Sequence, residues 1–384
     1  MPRLVEFHRH RIDLFHNGSV GMALGHISGS GGLDLILPGG EGQKSLVWYE
    51  FPDWTKHIIA RGTYDYNVGC AALDVDGDGH PDVVIAEGNE PARALAWYRS
   101  PRDPGGGHWK RSLVKAGFSP HDILPMEMTL EGGELRPGII TEWERRYITW
   151  FEIPGEATQP WKEYRLYDMG EAFEGTCIGD LAHRTRSDIV CAGSWYEAPS
   201  DPTSGKWQRH HYSDFRRNCR SAICDINGDG RLDIVLVESE YTDGRLAWYE
   251  APKDPLSGTW TQHIIDAGGL YFAHSLGVAD FNGDGAMDIF VGEMGQGGYR
   301  ADPPQPPRPR IIVYLNDGAG VFTPQVVSEW DGKGERIGVH EAEAADVNGD
   351  GRPDIIGKDA IFRQETPPHA LNPTNVDWWE NMTA

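Results

Sequence analysis

Short apolar runs, each entered through an Asp/Gly-rich polar loop, recur along this chain in a fixed order. The segment LDVDGDGHPDVVIAE aligns with CDINGDGRLDIVLVE, ADFNGDGAMDIFVGE and ADVNGDGRPDIIGKD. Degenerate copies, marked by the closing Asp-aliphatic run, stand at GHISGSGGLDLIL and GDLAHRTRSDIVCA, with a weaker one at ELRPGIITE. Each of the seven copies precedes an aromatic strand: LVWYE, LAWYR, ITWFE, GSWYE, LAWYE, IVYLN or VDWWE. In six cases a third strand-like landmark follows, WTKHII, WKRSLV, WKEYRL, WQRHHY, WTQHII or FTPQVV. The seventh aromatic strand, around Trp378 and Trp379, has no such successor, and Phe7-His8-Arg9-His10-Arg11-Ile12 offers the matching piece at the other end.

Self-similarity at a period of roughly 45–65 residues, with four short strands per repeat, is propeller-like. The pattern predicts an all-β, seven-bladed β-propeller occupying residues 1–384 as a single domain, closed by the N-terminal strand pairing into the last blade. Closure removes the sheet edges that would otherwise recruit other strands. An open solenoid would need polar capping repeats at both ends, and none is present. The 14 Trp, 48 Gly and 26 Pro fit many aromatic strands and many turns, and leave little room for extended helix.

Composition narrows the partners. A formal charge of −23 excludes a nucleic-acid surface, because phosphate binding needs concentrated Lys and Arg. Cys70, Cys177, Cys191, Cys219 and Cys224 sit inside apolar runs with no CxxC spacing and read as buried thiols. No apolar run approaches the ~18 residues of a membrane span, so no membrane partner is expected. MPRLVEFHRHRI lacks a signal-peptide core. A cytoplasmic protein is expected if Met1 is native, a secreted or periplasmic one if a signal peptide has been trimmed.

The polar loops carry a ligand spacing. Asp74, Asp76, Asp78 and Asp82 place oxygens at positions one, three, five and nine, with Gly79 at six for a sharp turn. The same spacing recurs at Asp225, Asn227, Asp229 and Asp233, at Asp280, Asn282, Asp284 and Asp288, and at Asp346, Asn348, Asp350 and Asp354. A hard cation seeking about six to eight oxygens selects such a set, which makes structural calcium the expected cofactor. Position twelve is apolar, as at Ile85, and the flanks read as strands, so this is not an EF-hand. Asp/Gly hairpin turns without metal are the plain alternative. The pattern resembles the FG-GAP or VCBS repeats of integrin-α-type propellers, a resemblance that implies fold but no single function. The other three blades lack the ligands, and calcium is not expected there.

Loops joining the first and second strands share a face with the Pro/Gly turns SPRDPGGG, APSDPTSG and APKDPLSG, which makes that face structural. The opposite face collects chemistry. Six residues before the first loop Asp stand His274 and His340, with His121 matching in the third blade and Glu174, Cys219 and Val68 in others; Asp122, Glu341, Asn67, Arg217 and Arg220 lie close by. Innermost strands line a central tunnel, so this set is expected to converge at its mouth and to bind a second divalent metal or act as acid and base. Glu87, Glu238, Glu293 and Asp359, with Glu142 nearby, form a second expected ring. The long insertions GQGGYRADPPQPPRPR and FRQETPPHALNPTN read as walls or lids. For each residue alone, a hydrogen-bonded structural role is the simpler reading.

WYEAP with its following W and HII, the run AHSLGVADFNGDG, and HDILP in the third blade look similar to the propeller domain of the aldos-2-ulose dehydratase family, and also to seven-bladed polysaccharide lyases. That resemblance implies a carbon–oxygen lyase acting on a carbohydrate substrate, with His121, His274 and His340 in the site. Elimination needs a base for the α-proton and a cation to hold the enolate. Arg217 or Arg220 could meet a uronate carboxylate, and Tyr64, Tyr66, Trp143, Trp195 and Tyr271 could stack on sugar rings, with core packing as the rival role for each. The alternative is a non-catalytic propeller that binds a glycan or a protein; loop asymmetry between blades favours one site over repeated lectin pockets, and hence an enzyme.

Overall fold

A strand that packs sheet against sheet on both faces is covered along its length, and the second strands of several repeats meet this with an apolar middle between a terminal Asp and a terminal Glu. Asp82–Glu87, Asp233–Glu238 and Asp288–Glu293 are buried at every position, whereas outer strands such as Thr55–Arg61 are mostly half-buried and exposed at both ends. The computed structural model describes residues 2–15, 21–39, 44–61, 66–88, 93–130, 132–143, 146–170, 174–294, 308–331, 337–359 and 374–384. Among these residues there is no helix. The strands form seven four-stranded antiparallel sheets, and the chain is a seven-bladed β-propeller.

The described residues fall into two compact units. One, residues 16–174 with 198–208, holds the first three blades: Ala23–Gly25 to Thr55–Arg61, Tyr66–Leu73 to Lys110–Ala116, and Asp122–Pro125 to Lys162–Asp168. The third blade carries an extra hairpin, Met128–Thr129 with Leu135–Arg136. The other unit, residues 1–15, 175–197 and 209–384, holds most of the fourth blade and all of the fifth, sixth and seventh. In the seventh, Phe7–Phe15 pairs antiparallel with Thr374–Asn381, so the N-terminal strand is the outermost strand of the last sheet.

Two side-chain devices recur in the blades. The first is the ninth loop residue. Asp82 is fully buried; one oxygen accepts the Val75 amide at 3.3 Å and the other the Ser100 amide at 2.6 Å, which fastens the loop to the end of the third strand. Asp233, Asp288 and Asp354 repeat this bond for bond, and Asp34 does so in the first blade, where the ion-ligand pattern is absent. The second is a Trp–His–Glu unit. A third-strand Trp is covered by a fourth-strand His, which reaches the Glu two residues past that Trp. Trp48, His57 and Glu50 form one, Trp195, His210 and Glu197 a second, Trp248, His263 and Glu250 a third, and Trp378, His10 and Glu380 a fourth.

Candidate functional site

The four Asp loops share one geometry. The first Asp turns inward and accepts amides across the turn: Asp225 takes those of Gly228, Asp229 and Gly230 at 2.8, 3.1 and 2.8 Å. Gly228 and Gly230 adopt φ of 72° and 82°, the left-handed region where a side chain would strain the chain. Carboxylate oxygens of Asp74, Asp76 and Asp78 lie within 4.8 Å of one another. All donors are oxygens, which suits a hard cation. Arginines rest on several of these acids, Arg99 on Asp76 and Asp78 at 2.6 and 3.1 Å, Arg231 on Asp229 and Arg352 on Asp350.

The fourth blade keeps the loop shape with different residues. Asp180 accepts the Arg184 and Thr185 amides at 2.8 and 2.7 Å, while His183 and Thr185 take φ of 52° and 57°. The Arg184 guanidinium lies 2.7 Å from Glu197 and 3.9 Å from Asp188.

Histidines meet as the repeat count predicts, in part. His274, on Ala273–Ala279, and His340, just before Glu341–Ala345, are both buried and stack with ring centroids 3.8 Å apart. Neighbouring first strands of adjacent blades carry them, which is why two residues far apart in sequence touch. Arg220 lies 3.0 Å from the His274 carbonyl oxygen and 3.0 Å from its Nδ1. Glu341 stands 3.2 Å from both Arg220 and His340, and 3.7 Å from His274. Glu240 approaches His274 Nε2 at 4.0 Å. His274, His340 and Glu341 thus present nitrogen and oxygen donors within 4.8 Å, a set able to hold a divalent ion, and with Arg220 able to hold an anionic group.

His121 belongs to the other unit, where its Nδ1 meets Asp122 at 2.7 Å and Glu142 completes a cluster. Arg217 is exposed. Three residues escape the repeat count. Glu240 follows Glu238 by two residues. Glu343 shares a strand face with Glu341 and is exposed. Lys358, fully buried, sits directly across from Glu341 in the strand register. The alternation in EAEAA is the one signal that could have found Glu343.

Other expected contacts turn out to be packing. Tyr66 is buried with its hydroxyl 3.3 Å from that of Tyr98, Trp195 is buried beneath His210, and Tyr271 is buried beside Phe272 and Met294, so these rings offer no open face to a sugar. The Glu87, Glu238 and Glu293 carboxylates are fully buried partners of arginines: Arg111, then Arg216 with Arg245, then Arg310, at 2.5 to 2.7 Å. Burial raises the Glu238 carboxyl, but hydrogen bonds from Arg245 and Arg216 outweigh it and hold it down at about 2. These acids are therefore structural ion pairs. Tyr64 and most of both long insertions lie outside the described residues, as do the side chains of Asn67 and Trp143.

A cavity of about 290 Å³ lies between the fifth- and sixth-blade loops, lined by Asp225, Asp284 and Asp317. No helix among the described residues is long and apolar enough to cross a membrane.

Comparison with known proteins places this geometry in a class. The FG-GAP-like repeat profile matches residues 225–291, which contain the fifth- and sixth-blade loops. Integrin alpha pat-2 of Caenorhabditis elegans is 28% identical over 207 residues, covering 49% of this chain and 17% of that protein. Its Caenorhabditis briggsae counterpart is 32% identical over 146 residues, 35% of this chain and 12% of that one. The chain thus matches less than a fifth of the length of either relative. Among solved structures, BBS1N, crystallised in complex with ARL6DN and soaked with lead, aligns over 99% of this chain and 97% of its own at a TM-score of 0.54 and 9% identity. The Vibrio cholerae biofilm matrix protein Bap1 aligns over 97% and 91% at 0.47 and 11%. The protein is a β-propeller carrying FG-GAP-like repeats, similar in sequence to integrin α chains.

Proposed function

We propose that this propeller is a binding module for a glycan or protein ligand, with calcium in its four complete Asp loops as a structural cofactor. The similarity to integrin α chains over 207 residues is the observation that carries the binding reading. In the loops, oxygen-only donors at matched spacing support calcium.

A second reading rests on the His274, His340, Arg220 and Glu341 cluster. There an imidazole would take the α-proton of a carbohydrate, and Arg220 or a divalent ion held by His274, His340 and Glu341 would steady the developing enolate. His121 enters this reading only as the matching residue of the third blade. One experiment separates the two. A panel of acidic and neutral glycans is incubated with the protein, while binding and ultraviolet absorbance from unsaturated product are followed together. Saturable, calcium-dependent binding without product supports the module. Product formation that His340→Gln abolishes supports the lyase and overturns the binding reading.

A further inference from the structure

The Trp–His–Glu unit of the last blade differs by one residue from those of the first and fifth blades. In the strand register, Thr55 stands opposite Glu50 and Thr261 opposite Glu250. Opposite Glu380 stands His8. His8 and His10 are two apart on Phe7–Phe15 and so project from the same face, with ring centroids 4.5 Å apart. His10 Nε2 lies 2.7 Å from Glu380 Oε2. Ligand atoms of His8, His10 and Glu380 all fall within 4.8 Å of one another.

We propose that His8, His10 and Glu380 form a binding site for a divalent transition-metal ion of the zinc type, which fastens the N-terminal strand to Thr374–Asn381. Two imidazoles and one carboxylate are the donor set that zinc, copper and nickel accept and that calcium, an oxygen seeker, does not. The arrangement is already held in place. His10 stacks on Trp378 at 4.6 Å and 22°, and the second Glu380 oxygen accepts a hydrogen bond from Asn348 at 3.2 Å, the kind of outer support that orients metal ligands. His8 is exposed, which gives the ion a way in and leaves room for water as the remaining ligand. Because the three ligands come from opposite ends of the chain, only the folded state brings them together. Binding therefore stabilises the native last blade. The inference does not depend on either reading of the histidine cluster formed by His274 and His340.

The test uses the full chain, stripped with EDTA and dialysed, then titrated with zinc alone by equilibrium dialysis and by thermal melting. His8→Gln removes one ligand at an exposed position while leaving Trp378, His10 and Glu380 themselves in place, and His57→Gln serves as the control in a blade lacking the second histidine. Wild type and His57→Gln should bind one equivalent of zinc more than His8→Gln, or bind it more than about tenfold tighter. Zinc should raise the melting temperature of wild type more than that of His8→Gln, while the two proteins melt alike without metal. Equal zinc stoichiometry and affinity in wild type and His8→Gln overturns the proposal, as does the absence of any zinc binding by wild type.

Discussion

Nδ1 of His274 lies 3.0 Å from the main-chain oxygen of His340, while the two rings stack with centroids 3.8 Å apart. The same nitrogen is 3.0 Å from the Arg220 guanidinium. It cannot serve both: with a proton it donates to the carbonyl, and without one it accepts from Arg220. Glu341 is the anion that the whole group shares, 3.2 Å from Arg220 and 3.2 Å from His340.

Glu341→Gln keeps the shape and removes that charge. Removing the carboxylate that lies 3.2 Å from both the largely buried Arg220 guanidinium and the His340 imidazole should cost about 1–3 kcal/mol of stability, read from urea unfolding. A change under about 0.5 kcal/mol would mean that water reaching the cluster already screens it.

Calcium and protons should compete at the ninth loop residue. Burial first, and then neighbouring loop carboxylates, push Asp82 up to about 7 and Asp233, Asp288 and Asp354 up to about 6, against the backbone amides that lower them. A carboxyl raised in the folded state favours folding while protonated. Its contribution is full below the ordinary value of 3.8 and is lost as pH rises through six to seven. Calcium bound at these loops would offset that penalty. The rise in melting temperature on adding calcium should thus be larger at about pH 7.5 than at about pH 5.5, and calcium binding at pH about 6.5 should release protons. An equal rise at both values, or none at either, argues against cation sites at these loops.

How much of this could be read from residues alone follows the range of each interaction. The Asp-aliphatic repeat reports local geometry, a loop turning onto its own strand, so seven blades and the pairing of Phe7–Phe15 with Thr374–Asn381 were legible. Counting back from the loop Asp also found His274 and His340, because equal positions on adjacent first strands become neighbours. Counting forward found Glu87, Glu238 and Glu293 but misjudged their role. Strand position does not reveal that Arg111, Arg245 and Arg310, on other strands, close over them. Burial of Tyr66 and Tyr271 was hidden for the same reason, since a tyrosine at a strand end can turn either way.

The fourth-blade loop stores strain that the others avoid. Thr185 holds φ at 57°, where Gly230 stands in the fifth blade at 82°. A β-branched residue in the left-handed region costs roughly 1–2 kcal/mol, partly offset here by its hydroxyl bond to the Arg184 carbonyl and by the unfolded-state entropy that glycine adds. Thr185→Gly should leave the protein unchanged or stabilise it by up to about 1 kcal/mol in urea unfolding. Destabilisation beyond about 1 kcal/mol would show that the hydroxyl bond, rather than the backbone, sets the loop.

The last blade depends on an unequal ion cluster. Asp377 is fully buried and accepts from Arg9 at 2.7 Å, Arg11 at 2.7 Å and Asn375 at 2.6 Å, whereas the two arginine side chains are 28% and 31% exposed. Removing the acid frees two cations that water can still solvate. Removing both cations strands a buried carboxylate. Asp377→Asn should therefore cost only about 1–3 kcal/mol, the loss of its charge-assisted bonds. Arg9→Ala with Arg11→Ala should cost about 3–5 kcal/mol and loosen the N-terminal strand. Urea unfolding of the two variants, with amide exchange across residues 7–15, measures both effects. If the arginine pair proves the cheaper loss, Asp377 is reached by water or held by Asn375 alone, and Phe7–Phe15 is retained by its backbone ladder and apolar face rather than by these charges.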